Sequence, residues 1–112
     1  MTAAEELYNQ AVDCVADGDL DGAIAKYRQA LALEANYADA WEGLSMALAD
    51  QENWPDAVAA ARRVVELNPD DQLPYTNLSR IYQRAGNIPE AESWAAKGRV
   101  IEWKQQLKAG KP

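Results

Sequence analysis

Large apolar residues recur along the chain at helical spacing. Trp41, Leu44 and Leu48 fall at i, i+3 and i+7, which places them on one helical face. Ala23, Tyr27, Ala30 and Leu31 mark a second helix. Asp19, Asn53 and Asn87 precede apolar-periodic segments and suit the N-cap position. Asn87 and Glu90 have capping-box spacing, with Asn in place of the usual Ser or Thr. Pro55 and Pro89 fall in a first turn, where a missing N–H costs least, and Pro69 terminates a helix. This pattern predicts six helices, near residues 4–16, 20–34, 38–50, 54–67, 72–85 and 88–108.

The pattern also repeats, with a period of 34 residues. From starting points at Ala4, Ala38 and Gln72, the large residues Leu7, Trp41 and Tyr75 come into register. So do Gln10, Leu44 and Leu78, then the small residues Ala11, Ser45 and Ser79, then Cys14, Leu48 and Tyr82. The turns align as Gly18, Glu52 and Gly86, followed by Leu20, Trp54 and Ile88. In the second half of each unit Ala23, Ala57 and Ala91 coincide, as do Tyr27, Ala61 and Ala95. The small residues on both helices allow two antiparallel helices to approach closely.

A W-x2-L-G-x2-Y pattern, then A-x3-F, then Pro, with this period, is the signature of the tetratricopeptide repeat, and the sequence resembles that family from residue 4 to about 105. Trp41, Leu44, Ser45, Leu48, Ala57 and Pro69 make the best single repeat; the first repeat departs at Gln10 and at Ala35, where Pro is usual. The resemblance implies an all-α fold: an α-solenoid of three antiparallel helix pairs forming a short superhelix. The expected organisation is a single domain over residues 1–112, with repeats at about 4–37, 38–71 and 72–105. A C-terminal cap extension is expected over about 99–109. A lone pair of this kind cannot bury its apolar stripe, and about three are needed for stability.

The resemblance further implies a protein-interaction module, an adaptor or scaffold, with a concave groove lined by the first helix of each repeat. That groove would take a peptide or a helical segment of a partner protein. The residues expected to line it are Tyr8, Asn9, Val12, Asp39, Glu42, Met46, Asn77, Arg80 and Arg84. Co-chaperones of the family grip chaperone tails with a clamp of two Lys, two Asn and an Arg. Tyr8, Val12, Gly43, Leu73 and Asn77 stand at the matching positions here, none of the required type, so a carboxylate-clamp receptor is not expected.

The last predicted helix departs from the family pattern. Ala96, Val100, Trp103 and Leu107 make an apolar stripe, with Trp94 and Ile101 beside it, whereas terminal caps usually turn a polar face outward. Trp94 corresponds to Lys26 and Ala60 and is expected to face out. An alternative function follows: a structural unit that forms homo-oligomers through Trp94, Ile101 and Trp103 and through oppositely charged ends.

Composition narrows the chemistry. Of 112 residues 48% are hydrophobic and 26% charged, as in an ordinary soluble globular protein. The net charge is −7, with residues 1–56 at −10 and residues 57–112 at +3. A nucleic-acid or anionic-membrane partner is not expected, for want of a basic footprint. Absence of His excludes His-based catalysis and ligation, and Cys14 has no partner for an internal disulfide. No enzyme activity, cofactor or metal is expected. Asp17, Asp19, Asp21 and Gly22 imitate the start of a calcium loop, but Arg28 stands where the bidentate Glu would complete coordination. With no signal-like or bilayer-length apolar run, the expected location is the cytoplasm.

Overall fold

In the computed structural model, residues 1–110 are described. The elements in chain order are α1 (Ala3–Ala16), α2 (Leu20–Leu33), α3 (Ala38–Asp50), α4 (Trp54–Leu67), α5 (Gln72–Arg84) and α6 (Ile88–Ala109). They form three antiparallel pairs, α1 with α2, α3 with α4 and α5 with α6, each packed on the next pair in sequence. Every end lies within a residue or so of its expected position.

One turn recurs three times. The N–H of Asp19, Asn53 and Asn87 bonds back to the carbonyl of Cys14, Leu48 and Tyr82 at 2.8, 2.9 and 2.9 Å. This closes α1, α3 and α5 with a Schellman-type cap, whose preceding residue must enter the left-handed region. Gly18 and Gly86 do so at φ 78 and 83, and in the middle turn Glu52 takes the same conformation at φ 61. The three bonding residues then serve as N-caps of α2, α4 and α6. Asp19 and Asn87 accept from the backbone N–H of Gly22 and Glu90, whereas Asn53 makes no side-chain cap bond and instead donates to Asp56. At the N-terminus Thr2 and Glu5 form a full capping box, which starts α1 at Ala3, before the expected Ala4.

The pairs are held by small residues and by repeated polar ties. Ala11, Ser45 and Ser79 on one helix, and Ala23, Ala57 and Ala91 on its partner, are all buried. Ser79 donates to the carbonyl of Ala91 at 2.7 Å, joining α5 to α6. Gly43 lies so close under the Tyr27 ring that a Cβ there would fall 2.4 Å from Cζ. Between pairs, Trp41 donates to the carbonyl of Ala35 and Tyr75 to that of Pro69, both at 2.8 Å and one repeat apart. The helices thus form two layers, α1, α3 and α5 in one and α2, α4 and α6 in the other. Contacts between Glu42 and Asn77 tie the first layer, and those between Arg28 and Asp56 tie the second.

Candidate protein-binding surfaces

The face of α1, α3 and α5 carries the nine groove residues expected from the sequence. Val12, Met46 and Arg80 occupy one repeat position on successive helices, and all three are exposed. They make a row that runs from aliphatic through thioether to guanidinium. Arg80 makes no ion pair among the described residues. Tyr8 is half-buried, with its ring 5.8 Å from that of Tyr27 and 5.4 Å from that of Tyr37. Burial, with the carboxylates of Asp39 and Glu42 nearby, pushes the Tyr8 phenol above its usual range. Burial raises Tyr27 and Tyr37 likewise.

Several of the polar candidates engage one another. Asn77 donates to Glu42 at 2.6 Å. Arg84 pairs with Asp50 at 3.0 Å, approaches the carbonyl of Ala49 and lies over the Trp54 ring at 5.7 Å. Of the two arginines on α5, Arg80 is therefore the one turned to solvent without a carboxylate. Asn9 is exposed, its amide nitrogen 3.6 Å from the Met1 sulfur. Asp39 lines a cavity of about 200 Å³ with Glu42, Leu73 and Pro74.

The last helix corrects one expectation. Trp94 does not face out: it is 8% exposed, with its ring 6.1 Å from that of Tyr75. The Arg62 guanidinium lies 5.4 Å from its centroid and the Lys97 ammonium 4.0 Å. The physical cause is lateral packing within the second layer. Position 94 is met by Tyr75 of α5 and by Arg62 of α4, the helix before it in its layer, and Ala60 is buried one repeat earlier, whereas Lys26, with no helix before α2, is only half-buried. Ile101 packs against the core as well. Val100, Trp103 and Leu107 stay 48%, 58% and 53% exposed.

Sequence reasoning missed a second surface feature. An open cavity of about 520 Å³ lies where α2 and α4 meet over α3, with Leu31, Trp41, Leu44, Leu48 and Ala60 as its apolar lining and Arg28, Asp56 and Arg63 at its rim. The signal was available: the repeat aligns Ala60 with Trp94, and the smaller residue leaves space.

The calcium lookalike serves the turn. The Asp19 carboxylate accepts the Gly22 N–H at 2.9 Å, as an N-cap does. Among the described residues no group of three His, Cys, Asp or Glu is placed to hold a metal ion. No described helix is long and apolar enough to cross a membrane.

Helix pairs with identical turns, stacked in a row and tied at equivalent positions, define an α-solenoid of short repeats. The tetratricopeptide repeat family model matches residues 8–72 and again 46–100, so the chain belongs to that family. A photosystem I assembly protein, Ycf3, of Synechococcus sp. (strain CC9605) is 33% identical over 86 residues, covering 74% of this chain and 50% of the relative. Tetratricopeptide repeat protein 37 of Xenopus laevis is 28% identical over 78 residues, 70% of this chain but 5% of that protein. The chain thus spans half or less of these curated relatives. Among solved structures, a MamA protein superposes with a TM-score of 0.89 at 22% identity, covering 99% of this chain and 60% of that one. A chain of the CopN–Scc3 complex does so with 0.82 at 18% identity, covering 100% and 72%.

Proposed function

We propose that the protein is an interaction module whose α1–α3–α5 face takes an extended or helical segment of a partner protein. The row Val12, Met46 and Arg80 carries this reading. Three equivalent positions on three helices are all exposed, two offering apolar contact and the third a cation with no ion pair among the described residues. The ligand this row fits has aliphatic side chains followed by a carboxylate. Met46 adapts to varied apolar shapes, and a guanidinium favours carboxylate oxygens. Asn9 adds backbone-directed hydrogen bonding, and Asp39 and Glu42 favour a basic residue toward the other end. That one structural neighbour comes from a two-protein complex is consistent with this use. A cytoplasmic setting belongs to the same proposal, in keeping with the lone free thiol of Cys14.

Peptides selected from a random library against the immobilised protein test it. The expected consensus is aliphatic then acidic, with affinity of about micromolar order because ordering the free segment opposes the contacts. Binding should weaken as salt rises. Met46→Ser and Arg80→Ala should each lose binding while Arg99→Ala, on α6, keeps it; equal losses at Arg80 and Arg99 would refute the assignment.

A second reading, self-assembly through the last helix, is favoured by one observation. Val100, Trp103 and Leu107 are exposed together where a terminal cap is ordinarily polar.

A further inference from the structure

Shifting by one repeat maps a filled slot onto an open one. The filled slot holds Trp94 against Tyr75, between the cations of Arg62 and Lys97. One repeat earlier the same four positions are Ala60, Trp41, Arg28 and Arg63. All four line the open cavity of about 520 Å³. The aromatic wall and both flanking cations are kept, and only the indole between them is missing. The protein itself therefore shows which side chain such a slot accepts. A ring entering it would lie on the Trp41 side of the cavity with a guanidinium available at its face, a cation–π arrangement like that of Trp94.

The same molecule carries an exposed indole. Trp103 is 58% exposed on α6, with Val100 and Leu107 about one turn to either side. Lys104 and Lys108 stand near it on the same helix. Around the slot each rim cation already has a carboxylate beside it: Arg28 lies 3.7 Å from Asp56 and Arg63 lies 3.1 Å from Glu66. The half of the chain that builds most of the slot is acidic, −10 against +3 for the half that carries Trp103. Shape and residue type thus match across two different surfaces of one chain, and Asp56 and Glu66 offset the rim arginines so that the slot does not repel Lys104 and Lys108.

We propose that the Ala60 slot receives Trp103 of a second copy of this chain. The proposal rests on the self-assembly reading of the last helix and names the surface that receives it. Donor and acceptor surfaces differ, so a single contact leaves a free slot on one copy and a free Trp103 on the other, and these either join further copies head to tail or close into a reciprocal pair or a ring. The row Val12, Met46 and Arg80 lies on α1, α3 and α5, in the other layer from the α2 and α4 residues that rim the slot.

Sedimentation velocity across a concentration series tests this with two variants. Ala60→Trp fills the slot and keeps Trp103; Trp103→Ala keeps the slot and removes the knob. The unmodified protein should grow in mass with concentration, and each variant alone should associate about thirty-fold more weakly, as loss of a central aromatic anchor does. Mixed in equal amounts, the two variants should form dimers and stop there, since only one complementary contact remains. Ala59→Lys, an exposed rim position, supplies the blocked slot if Ala60→Trp fails to melt cooperatively. Undiminished association of both slot variants, or a mixture that stays monomeric, would overturn the slot while leaving self-assembly standing. An unmodified protein that stays monomeric to millimolar concentration would overturn both.

Discussion

Glu52 is the one non-glycine residue with positive φ among those described, at φ 61. It occupies the turn position where the first and third repeats place Gly18 and Gly86, at φ 78 and 83. A side chain in this region brings Cβ toward the following carbonyl, at about 1–2 kcal/mol. Glycine removes that strain but gives the unfolded chain more freedom, which costs about 0.4–1 kcal/mol. The Glu52 side chain is exposed and makes no ion pair among the described residues, so its removal forfeits no such contact. Glu52→Gly should therefore stabilise by about 0.5–1 kcal/mol, which raises Tm by about 2–4 °C at this size. Thermal melts followed by circular dichroism, with urea titrations alongside, measure it. Glu52→Ala separates the causes, because it deletes the carboxylate but keeps a Cβ in the left-handed region. A stabilisation by Ala equal to that by Gly, or a fall in Tm with Gly, would refute the strain account.

Three further outcomes are expected. Gly43→Ala should destabilise by about 1–3 kcal/mol in urea titrations, because its Cβ would press into the buried Tyr27 ring. Tyr8, Tyr27 and Tyr37 all have folded pKa values raised above the usual 10.0, chiefly by burial. Their contribution is complete below the unfolded value and is lost as pH rises through the folded one, so the urea midpoint should fall above about pH 10 and Tyr27→Leu should flatten that fall. Calcium at about millimolar concentration should leave Tm unchanged, since Asp19 is engaged as an N-cap and Arg28 replaces the last ligand; a rise would show a site at that turn.

Element placement was legible because the repeat constrains every helix three times over. A single weak cap such as Asn53, which makes no cap bond, does not shift α4 when Pro55 and the aligned turns fix the same start. Thr2 lies outside the repeat register, which begins at Ala4, yet its hydroxyl and Glu5 close a complete capping box. The orientation of Trp94 was misjudged for a different reason. Lys26 and Ala60 resemble surface residues by type, but the position is covered by the preceding helix of the layer at Ala60 and Trp94 and has no such helix at Lys26, which residue type alone does not reveal. The ties on the candidate face, Glu42 with Asn77 and Asp50 with Arg84, join residues 35 and 34 apart. The repeat places such residues on adjacent helices, but rotamers decide which of the charged groups neutralise one another and which, like Arg80, stay free.

Each helix packs chiefly on its neighbours in sequence, with little beyond the contact of α1 with α3. This locality governs how fast the molecule acquires its fold. Short closures cost little chain entropy before contacts reward them, so folding should finish in microseconds to milliseconds. It should also start in whichever helix pair forms first, with no obligate order imposed by distant pairing. Amide exchange should be graded accordingly. The stretch of α6 from Trp103 onward is exposed at every residue to Gly110, and its amides should open on their own, well before those of α3, which has a helix pair on either side. The end that carries the exposed indole is thus also the end that unwinds most readily, so any partner that grips Trp103 would slow exchange there first.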